Sequence, residues 1–152
     1  MNVEDMYQQI ILDHYREKHH SGLREPYQVE VHHVNPSCGD ELSLRVAVDG
    51  DTVTDVSYEG VGCSISQAST SVMSDLVIGR PFADCLELHD EFLAMMQSRG
   101  KATPDEDRLE DAVAFVGVSL FPARIKCALL GWSAMRDAVL QATSGSTAPQ
   151  EA

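Results

Sequence analysis

The sequence predicts an α+β fold, in which a small three-stranded antiparallel sheet packs against several helices. Between Tyr27 and Gly60 apolar residues alternate with polar ones, which is the period of half-buried strands. Before and after this stretch the apolar residues recur every three or four positions, as they do on one face of a helix. With 152 residues, 43% of them hydrophobic, the chain is long enough to bury one core, so we expect a single domain over residues 1–142.

The first predicted element is a helix from Val3 to Lys18. Met6 and Ile10 lie four positions apart and therefore share one face of this helix. An acidic residue, Asp5, stands near its start and a lysine stands at its end, where each charge is favoured by the helix dipole. Gly22 follows and ends the helical pattern.

Three strands follow the first helix. Their predicted ranges are Val29–Val34, Leu42–Val48 and Val53–Tyr58. The Asp49-Gly50 pair predicts a tight hairpin between the second and third strands. Val53 and Val56 are three positions apart, so both can face the core only if the strand contains a bulge, which we expect near Thr54-Asp55.

The remainder of the chain is predicted to be helical up to a short tail. The expected helices are Ser64–Gly79, Phe82–Arg99, Asp105–Phe115 and a long one that begins at Pro122, a residue well suited to a first helical position. We expect Trp132 to anchor the last helix against the sheet. Residues 143–152 are small and polar and predict a disordered C-terminal tail.

Composition and charge exclude several classes of function. The formal net charge of −13 opposes binding to nucleic acid or to anionic membranes, so neither is an expected partner. This charge either keeps the protein soluble or favours a partner with a positive face. No apolar run approaches the roughly 18 residues that span a bilayer, and the acidic start does not resemble a secretory signal. We expect a cytoplasmic protein, whose four cysteines are reduced and serve as ligands or nucleophiles.

Three of these cysteines stand where the chain reverses or where a helix begins. Cys38 lies in the turn between the first two strands, Cys63 immediately before a helix, and Cys127 in the first turns of the last helix. Asp40 follows two residues after Cys38. Three thiolates and a carboxylate can form a tetrahedral zinc site. The spacing matches no general zinc pattern, however, so three unrelated buried cysteines remain an equal alternative on residue types alone.

Four stretches of the chain carry a more specific pattern. They are Tyr7 with Ile11–Tyr15 (Ile-Leu-Asp-His-Tyr), Asn35–Asp40 (Asn-Pro-Ser-Cys-Gly-Asp), Gly60–Ser69 (Gly-Val-Gly-Cys-Ser-Ile-Ser-Gln-Ala-Ser) and Arg124–Trp132 (Arg-Ile-Lys-Cys-Ala-Leu-Leu-Gly-Trp). Together they extend from the first helix to the last. The combination resembles the U-type iron–sulfur cluster assembly proteins, namely the IscU scaffolds, the NifU amino-terminal domain and, most closely, SufU.

The resemblance implies a metal site and a reaction. Members similar to SufU bind Zn²⁺ through three cysteines and an aspartate, here Cys38, Asp40, Cys63 and Cys127. They accept persulfide sulfur from a cysteine desulfurase of the SufS type and pass it on to downstream components of iron–sulfur assembly. We expect Cys38 to be the persulfide acceptor, because a loop next to glycine moves more readily than a helix start. Arg124 is a further candidate, which would support Asp40 or a displaced thiolate; the alternative is a surface residue that pairs with one of the many carboxylates.

Two features separate the subtypes of this family. IscU scaffolds carry a histidine immediately before the third motif cysteine, where this chain has Lys126. The segment between the second and third cysteines is also longer than in those scaffolds, and Gly100–Asp111 is the expected insertion. Both features favour sulfur transfer. The alternatives are a scaffold that holds iron or a [2Fe–2S] cluster at the same ligands, and a zinc-stabilised module without turnover.

Other candidate ligands are expected to be structural. Cys85 belongs to none of the four stretches and should be a buried core residue. The pairs His19-His20 and His32-His33 should be solvated or lie at an edge, because adjacent side chains diverge on a strand or a helix. The segment Arg16–His20 also departs from the family, which usually has Asn-Pro-Arg after the tyrosine at position 15. If this end takes part in docking a desulfurase, contacts with that partner are expected to differ.

Overall fold

A computed structural model describes residues 2–37 and 39–144 of the chain. Three antiparallel strands in the order β1-β2-β3 form the sheet, and helices pack on it, so the predicted fold class is confirmed. The elements are α1 Val3–Glu17, β1 Val29–Asn35, β2 Asp40–Asp49, β3 Thr52–Val61, α2 Ser64–Val77, α3 Phe82–Met96, α4 Glu106–Leu109, a 3₁₀ helix Glu110–Leu120, and α5 Pro122–Thr143. Residues 145–152 of the predicted tail lie outside the described residues, so the division into one domain and a tail stays a prediction.

The sheet contains the predicted bulge. Ala47 of β2 pairs with Asp55 and the next residue, Val48, pairs with Val53, so Thr54 is the extra residue of β3. The bulge returns both valines of β3 to the same face, and Val53 and Val56 are both fully buried. The predicted bulge is therefore confirmed. It could be predicted because the spacing of the two valines does not fit a regular strand.

Two of the predicted helices are wrong in length or type. Helix α3 ends at Met96, three residues before the predicted Arg99, which has a positive φ of 56°. The predicted helix Asp105–Phe115 is α-helical only in α4 and continues as a 3₁₀ helix. Glu110 has a φ of 46° and interrupts the helix at this point. The four residues 112–115 that follow are all buried, so no amphipathic α-helical stripe exists there.

Helices α2 and α5 cross at very short range in the centre of the molecule. Gly131 of α5 lies directly on Thr70 of α2, and a Cβ atom at Gly131 would stand 3.1 Å from the Thr70 Cα and still closer to its side chain. The side chain of Ser69, beside Thr70, donates a hydrogen bond of 2.7 Å to the Ala128 carbonyl. The distance between the two helices is therefore set by Gly131, which has no side chain, and by the buried hydroxyl of Ser69.

Trp132 extends this contact to helix α3. Its indole N–H donates to the Ser69 hydroxyl at 3.1 Å. Its ring stacks on Phe92 of α3, with 4.5 Å between the ring centroids and 9° between the planes. The sequence predicted an anchor on the sheet, and the hydrogen bond and the ring stacking of the indole are to helices α2 and α3. The tryptophan thus joins α2, α3 and α5 in one core.

The Gly100–Asp111 segment is fastened to helix α3 by one arginine. Arg108 donates to the Glu91 carboxylate at 2.7 Å and to the Asp84 carboxylate at 2.8 Å. Asp84 also accepts from Arg80 at 2.7 Å. These hydrogen bonds hold the pKa of Asp84 below its ordinary value of 3.8, and the bond from Arg80 has the larger effect.

No helix within the described residues is long and apolar enough to cross a membrane.

We predict that Gly131→Ala destabilises the protein, because the added methyl group must push α5 away from Thr70. The free energy of unfolding should fall by about 1–3 kcal/mol, as in other overpacked cores. Chemical denaturation followed by circular dichroism measures this loss. Gly117→Ala is the matched control, because nothing lies within 4 Å of a Cβ atom at Gly117. Equal stability of the two variants would contradict the close crossing.

We predict that Arg108→Ala lowers the free energy of unfolding by about 1 kcal/mol at neutral pH, since a partly exposed charge network is lost. A carboxylate with a lowered pKa stabilises the fold fully above its unfolded pKa, and this stabilisation is lost as the pH falls through the folded pKa. The difference between wild type and variant should therefore shrink as the pH falls below about 4. Denaturation at several pH values tests this. The control is Arg136→Ala, because Arg136 is exposed and has no salt bridge among the described residues.

Candidate metal centre

Asp40 is the first residue of β2 and is completely buried. It pairs with Asn35 at the end of the β1–β2 ladder, so the strand pairing fixes its backbone. A buried carboxylate is costly unless it is hydrogen-bonded or lies near positive charge. The Oδ1 atom of Asp40 accepts a hydrogen bond of 3.0 Å from the backbone N–H of Cys63. This bond joins the start of β2 to the start of α2.

Cys63 is the N-cap residue of α2 and the one exposed cysteine among those described. The N-terminus of a helix has unpaired N–H groups and a positive dipole end, which favour a thiolate and the neighbouring carboxylate. Ser66, one turn further on, donates from its hydroxyl to the Cys63 carbonyl at 3.0 Å. The helix start therefore holds the Cys63 backbone firmly, while the residue as a whole stays exposed.

Gly62 permits the approach of Asp40 to this helix start. A Cβ atom at Gly62 would lie 2.6 Å from Asp40 Oδ1 and would also overlap the Ser66 hydroxyl. Any other residue at this position would displace the carboxylate or the first turn of α2. The glycine before the cysteine is thus a requirement of packing around the site.

Cys127 lies on a third element, in the second turn of α5. Its side chain is buried, with 3% of the residue exposed. The sulfur lies 3.7 Å from the carbonyl oxygen of Ala123, one turn earlier in the same helix. Because Gly131 lies one turn after Cys127, the close crossing of α5 and α2 also brings this thiol towards the start of α2.

The structure brings three of the four predicted ligands together. One ligand atom each from Asp40, Cys63 and Cys127 lies within 4.8 Å of the other two. Zinc binds sulfur at about 2.3 Å and oxygen at about 2.0–2.2 Å, so a tetrahedral site needs ligand atoms somewhat less than 4 Å apart. Two thiols and a carboxylate on separate elements are a suitable donor set for zinc.

The two remaining predicted site residues stay predictions. Cys38 lies outside the described residues, although the pairing of Asn35 with Asp40 brackets its position in the chain. Arg124 is exposed at the start of α5 and forms no salt bridge with Asp40 or with any other residue that the structure describes. Lys126 is also exposed. It occupies the position at which the IscU scaffolds have a histidine.

Cys85 is confirmed as a core residue. It is fully buried in α3, and its thiol lies 3.7 Å from the carbonyl oxygen of Val77. Burial raises the pKa of this thiol to about 12, so it stays protonated at neutral pH. It therefore provides a matched control for the other cysteines.

Sequence reasoning missed a second cluster of titratable side chains. His14, His19 and Asp75 each offer a ligand atom within 4.8 Å of the other two. The argument that adjacent histidines diverge applies to regular helices and strands, but Lys18 and His20 have positive φ angles of 46° and 66°. This irregular backbone turns both His19 and His20 towards Asp75. The departure from the family pattern at these positions was the available signal.

The chain is similar to named proteins over most of its length. It is 41% identical over 146 residues to the zinc-dependent sulfurtransferase SufU of Bacillus subtilis, covering 95% of this chain and 97% of the relative. It is 39% identical over 137 residues to the iron–sulfur cluster assembly scaffold protein IscU of Streptococcus pyogenes, covering 90% and 84%. Among solved structures, FiSufU of Fervidobacterium islandicum, described as a candidate assembly scaffold for the SUF system, superimposes with a TM-score of 0.80 at 36% identity, covering 91% of this chain and 99% of that one.

The family comparison covers nearly all of the described chain. Residues 6–141 match the family described as the NifU-like N-terminal domain. This span begins in α1 and ends in α5, and it includes the three ligand-bearing segments and the segment that carries Arg108. The chain belongs to the NifU-like N-terminal domain family.

Proposed function

We propose that this protein is a zinc-dependent sulfurtransferase of iron–sulfur cluster assembly, which accepts persulfide sulfur from a cysteine desulfurase of the SufS type. The observation that carries the proposal is the convergence of Asp40, Cys63 and Cys127 from three separate elements. The relative named as a zinc-dependent sulfurtransferase supports the choice of metal and reaction. The sulfur then passes to downstream components of cluster assembly.

The proposed zinc ligands are Cys38, Asp40, Cys63 and Cys127. When bound there, zinc would keep the thiols deprotonated and protect them from oxidation. The chain itself supplies the orientation. The Cys63 N–H holds one oxygen of Asp40, and the α2–α5 crossing holds Cys127 close to both. A strand start and two helices thus hold three of the four proposed ligands.

Cys38 is the proposed acceptor of the sulfur. Its thiolate attacks the outer sulfur of the desulfurase persulfide and forms a new sulfur–sulfur bond. The bond between the two desulfurase sulfurs breaks, and the desulfurase cysteine leaves as a thiolate. One sulfur atom is transferred and no external oxidant or reductant is consumed. Neither buried thiol is suited to this attack, because Cys127 and Cys85 are almost inaccessible to a partner.

Exposed residues around the ligand-bearing segments favour contact with a protein partner. Val34 precedes the β1–β2 turn, Val61 precedes Cys63, and Phe121 precedes α5, and each is more than half exposed. Apolar residues exposed next to a reactive site are typical of a docking surface. Arg124, exposed beside Phe121, is free to pair with an acidic group of the partner or to support a displaced thiolate. We propose this supporting role for Arg124.

A scaffold for [2Fe–2S] clusters is the second candidate. Relatives described as assembly scaffolds are 39% and 36% identical to this chain, close to the value for the sulfurtransferase, so overall identity does not separate the two functions. Lys126 favours sulfur transfer, because a lysine side chain is a poor iron ligand in comparison with histidine. An absorption spectrum after anaerobic reconstitution with iron and sulfide distinguishes them, since a retained cluster absorbs visible light.

We predict that Cys38 carries the persulfide. After incubation with a SufS-type desulfurase and cysteine, intact and peptide mass spectrometry should find one added sulfur at Cys38. Cys38→Ser should lose both this sulfur and the stimulation of desulfurase turnover. Cys85→Ala should retain both, because the buried Cys85 thiol is protonated and inaccessible. A persulfide that persists on the Cys38→Ser variant would overturn the assignment of Cys38. If wild type leaves desulfurase turnover the same as in its absence, a zinc-stabilised module without turnover is favoured instead.

We also predict that protein purified without added metal contains about one zinc per chain. Cys63→Ser, Cys127→Ser and Asp40→Asn should each contain markedly less zinc, since each removes a charged ligand from the set. Cys85→Ala should retain the wild-type content. Metal analysis by mass spectrometry measures this, with circular dichroism to confirm folding. Full zinc occupancy in the three ligand variants would rule out the proposed ligand set.

A further inference from the structure

A second group of metal-ligating side chains lies where α1 and the following turn pack on α2. His14 comes from the end of α1 and is buried, His19 follows α1, and Asp75 belongs to the last turn of α2. One ligand atom from each lies within 4.8 Å of the other two. Asp75 is 12 residues from Cys63, which corresponds to about 18 Å along the helix. The group is therefore distinct from the cysteine-bearing site.

Carboxylates orient the imidazole of His19 on both sides. Its Nδ1 lies 2.6 Å from Asp75 Oδ2, and its Nε2 lies 2.7 Å from Glu17 Oε1. Histidines that bind metals usually donate their second ring N–H to a carboxylate or a carbonyl, which fixes the ring and strengthens the ligand. With Nδ1 directed at a metal shared with Asp75, Glu17 would serve as this orienting partner.

The imidazole of His14 is held just as firmly. Its Nε2 lies 2.9 Å from Asp111 Oδ2, and its Nδ1 lies 2.8 Å from the Ser71 hydroxyl. The same hydroxyl accepts a hydrogen bond of 2.9 Å from the backbone N–H of His19. The two histidine rings are 4.6 Å apart between centroids. Whichever ring nitrogen of His14 binds a metal, the other retains a polar partner.

A small cleft opens beside this group. It has a volume of about 100 Å³, and His14, Asp75, Glu110 and Asp111 provide its polar walls. This volume holds a few water molecules, so a metal bound by three side chains could complete its coordination with water. The acidic walls attract a cation and oppose an anion.

We propose that His14, His19 and Asp75 bind a divalent transition-metal ion such as Zn²⁺, with Glu17 orienting His19. Two imidazoles and one carboxylate suit zinc, nickel, cobalt or iron and are poorly suited to calcium or magnesium, which prefer oxygen ligands. This site does not depend on the sulfur-transfer function, because it shares no residue with the cysteine-bearing site. The alternative is a cluster of ion pairs that fastens α1 to α2 without a metal.

The test counts zinc ions in the full-length protein. The protein is first loaded with one equivalent of Zn²⁺, and further Zn²⁺ is titrated in competition with a chromophoric chelator. We expect wild type to take up a second equivalent. Long-range ¹H–¹⁵N spectra should show the imidazole signals of His14 and His19 shifting with this equivalent, whereas those of His32 should not move.

The variants identify the ligands. His19→Ala and Asp75→Asn should bind the second equivalent at least about tenfold more weakly, and Glu17→Gln about 10- to 100-fold more weakly, as expected for loss of an orienting partner. His32→Ala is the matched control, because His32 is an exposed histidine that also lies beside a carboxylate, Glu41 at 3.4 Å. It should bind the second equivalent with wild-type affinity.

Two further results distinguish this proposed site from the cysteine-bearing zinc site and from an ion-pair cluster without metal. Cys63→Ser should retain the site at His14 even if it loses zinc at the cysteines, so failure of one proposal is visible without failure of the other. The second equivalent should raise the melting temperature of wild type but not of His19→Ala. If wild type takes up no second equivalent, or if His19→Ala and Asp75→Asn bind it with unchanged affinity, the group is an ion-pair cluster and the proposal is wrong.

Discussion

The close crossing of α2 and α5 is the constraint on which the rest of the structure depends. Thr70 and Gly131 meet with no room for another methyl group. The Ser69 hydroxyl of α2 donates to the Ala128 carbonyl of α5 and accepts a hydrogen bond from the Trp132 indole. Short side chains lose little conformational entropy when they are buried, and their hydroxyls find hydrogen-bond partners within the helices. Because Cys63 begins α2 and Cys127 lies one turn before Gly131, this single contact also determines how closely the two thiols approach.

The burial of Asp40 adds a second requirement to that geometry. A fully buried carboxylate loses its hydration, and the loss must be offset by hydrogen bonds and by nearby positive charge. The N-terminus of α2 provides one such bond through the Cys63 N–H, and Gly62 leaves the space for it. A divalent cation held by the same carboxylate and two thiolates would provide much more. The acidic residue is therefore stabilised by the features that assemble the proposed ligands.

The sequence was sufficient wherever a pattern is local. The alternation of valines predicted the strands, and the three-residue spacing of Val53 and Val56 predicted the bulge, because a strand must keep its apolar side chains on one face. It was insufficient where non-glycine residues have positive φ angles. Glu110 interrupts a predicted helix, and His20 directs two histidines to one aspartate, although no residue type at either position signals this backbone. The convergence of Asp40 with two distant cysteines was expected from the family resemblance, whereas residue types and spacing alone left it open.

Helix α2 places two different donor sets near its ends. At Cys63 the proposed ligands are thiols with one carboxylate, a soft set that suits zinc or iron–sulfur species. At Asp75 they are imidazoles with a carboxylate, a harder set beside an acidic cleft. Both sets suit Zn²⁺, but ligand softness ranks the other transition-metal ions differently at the two ends. An ion at Asp75 would also join α1 to α2, since His14 and His19 come from α1 and the turn after it. Metal binding at this end would then contribute to the stability of the helix pair, while metal binding at Cys63 would control the chemistry of thiols.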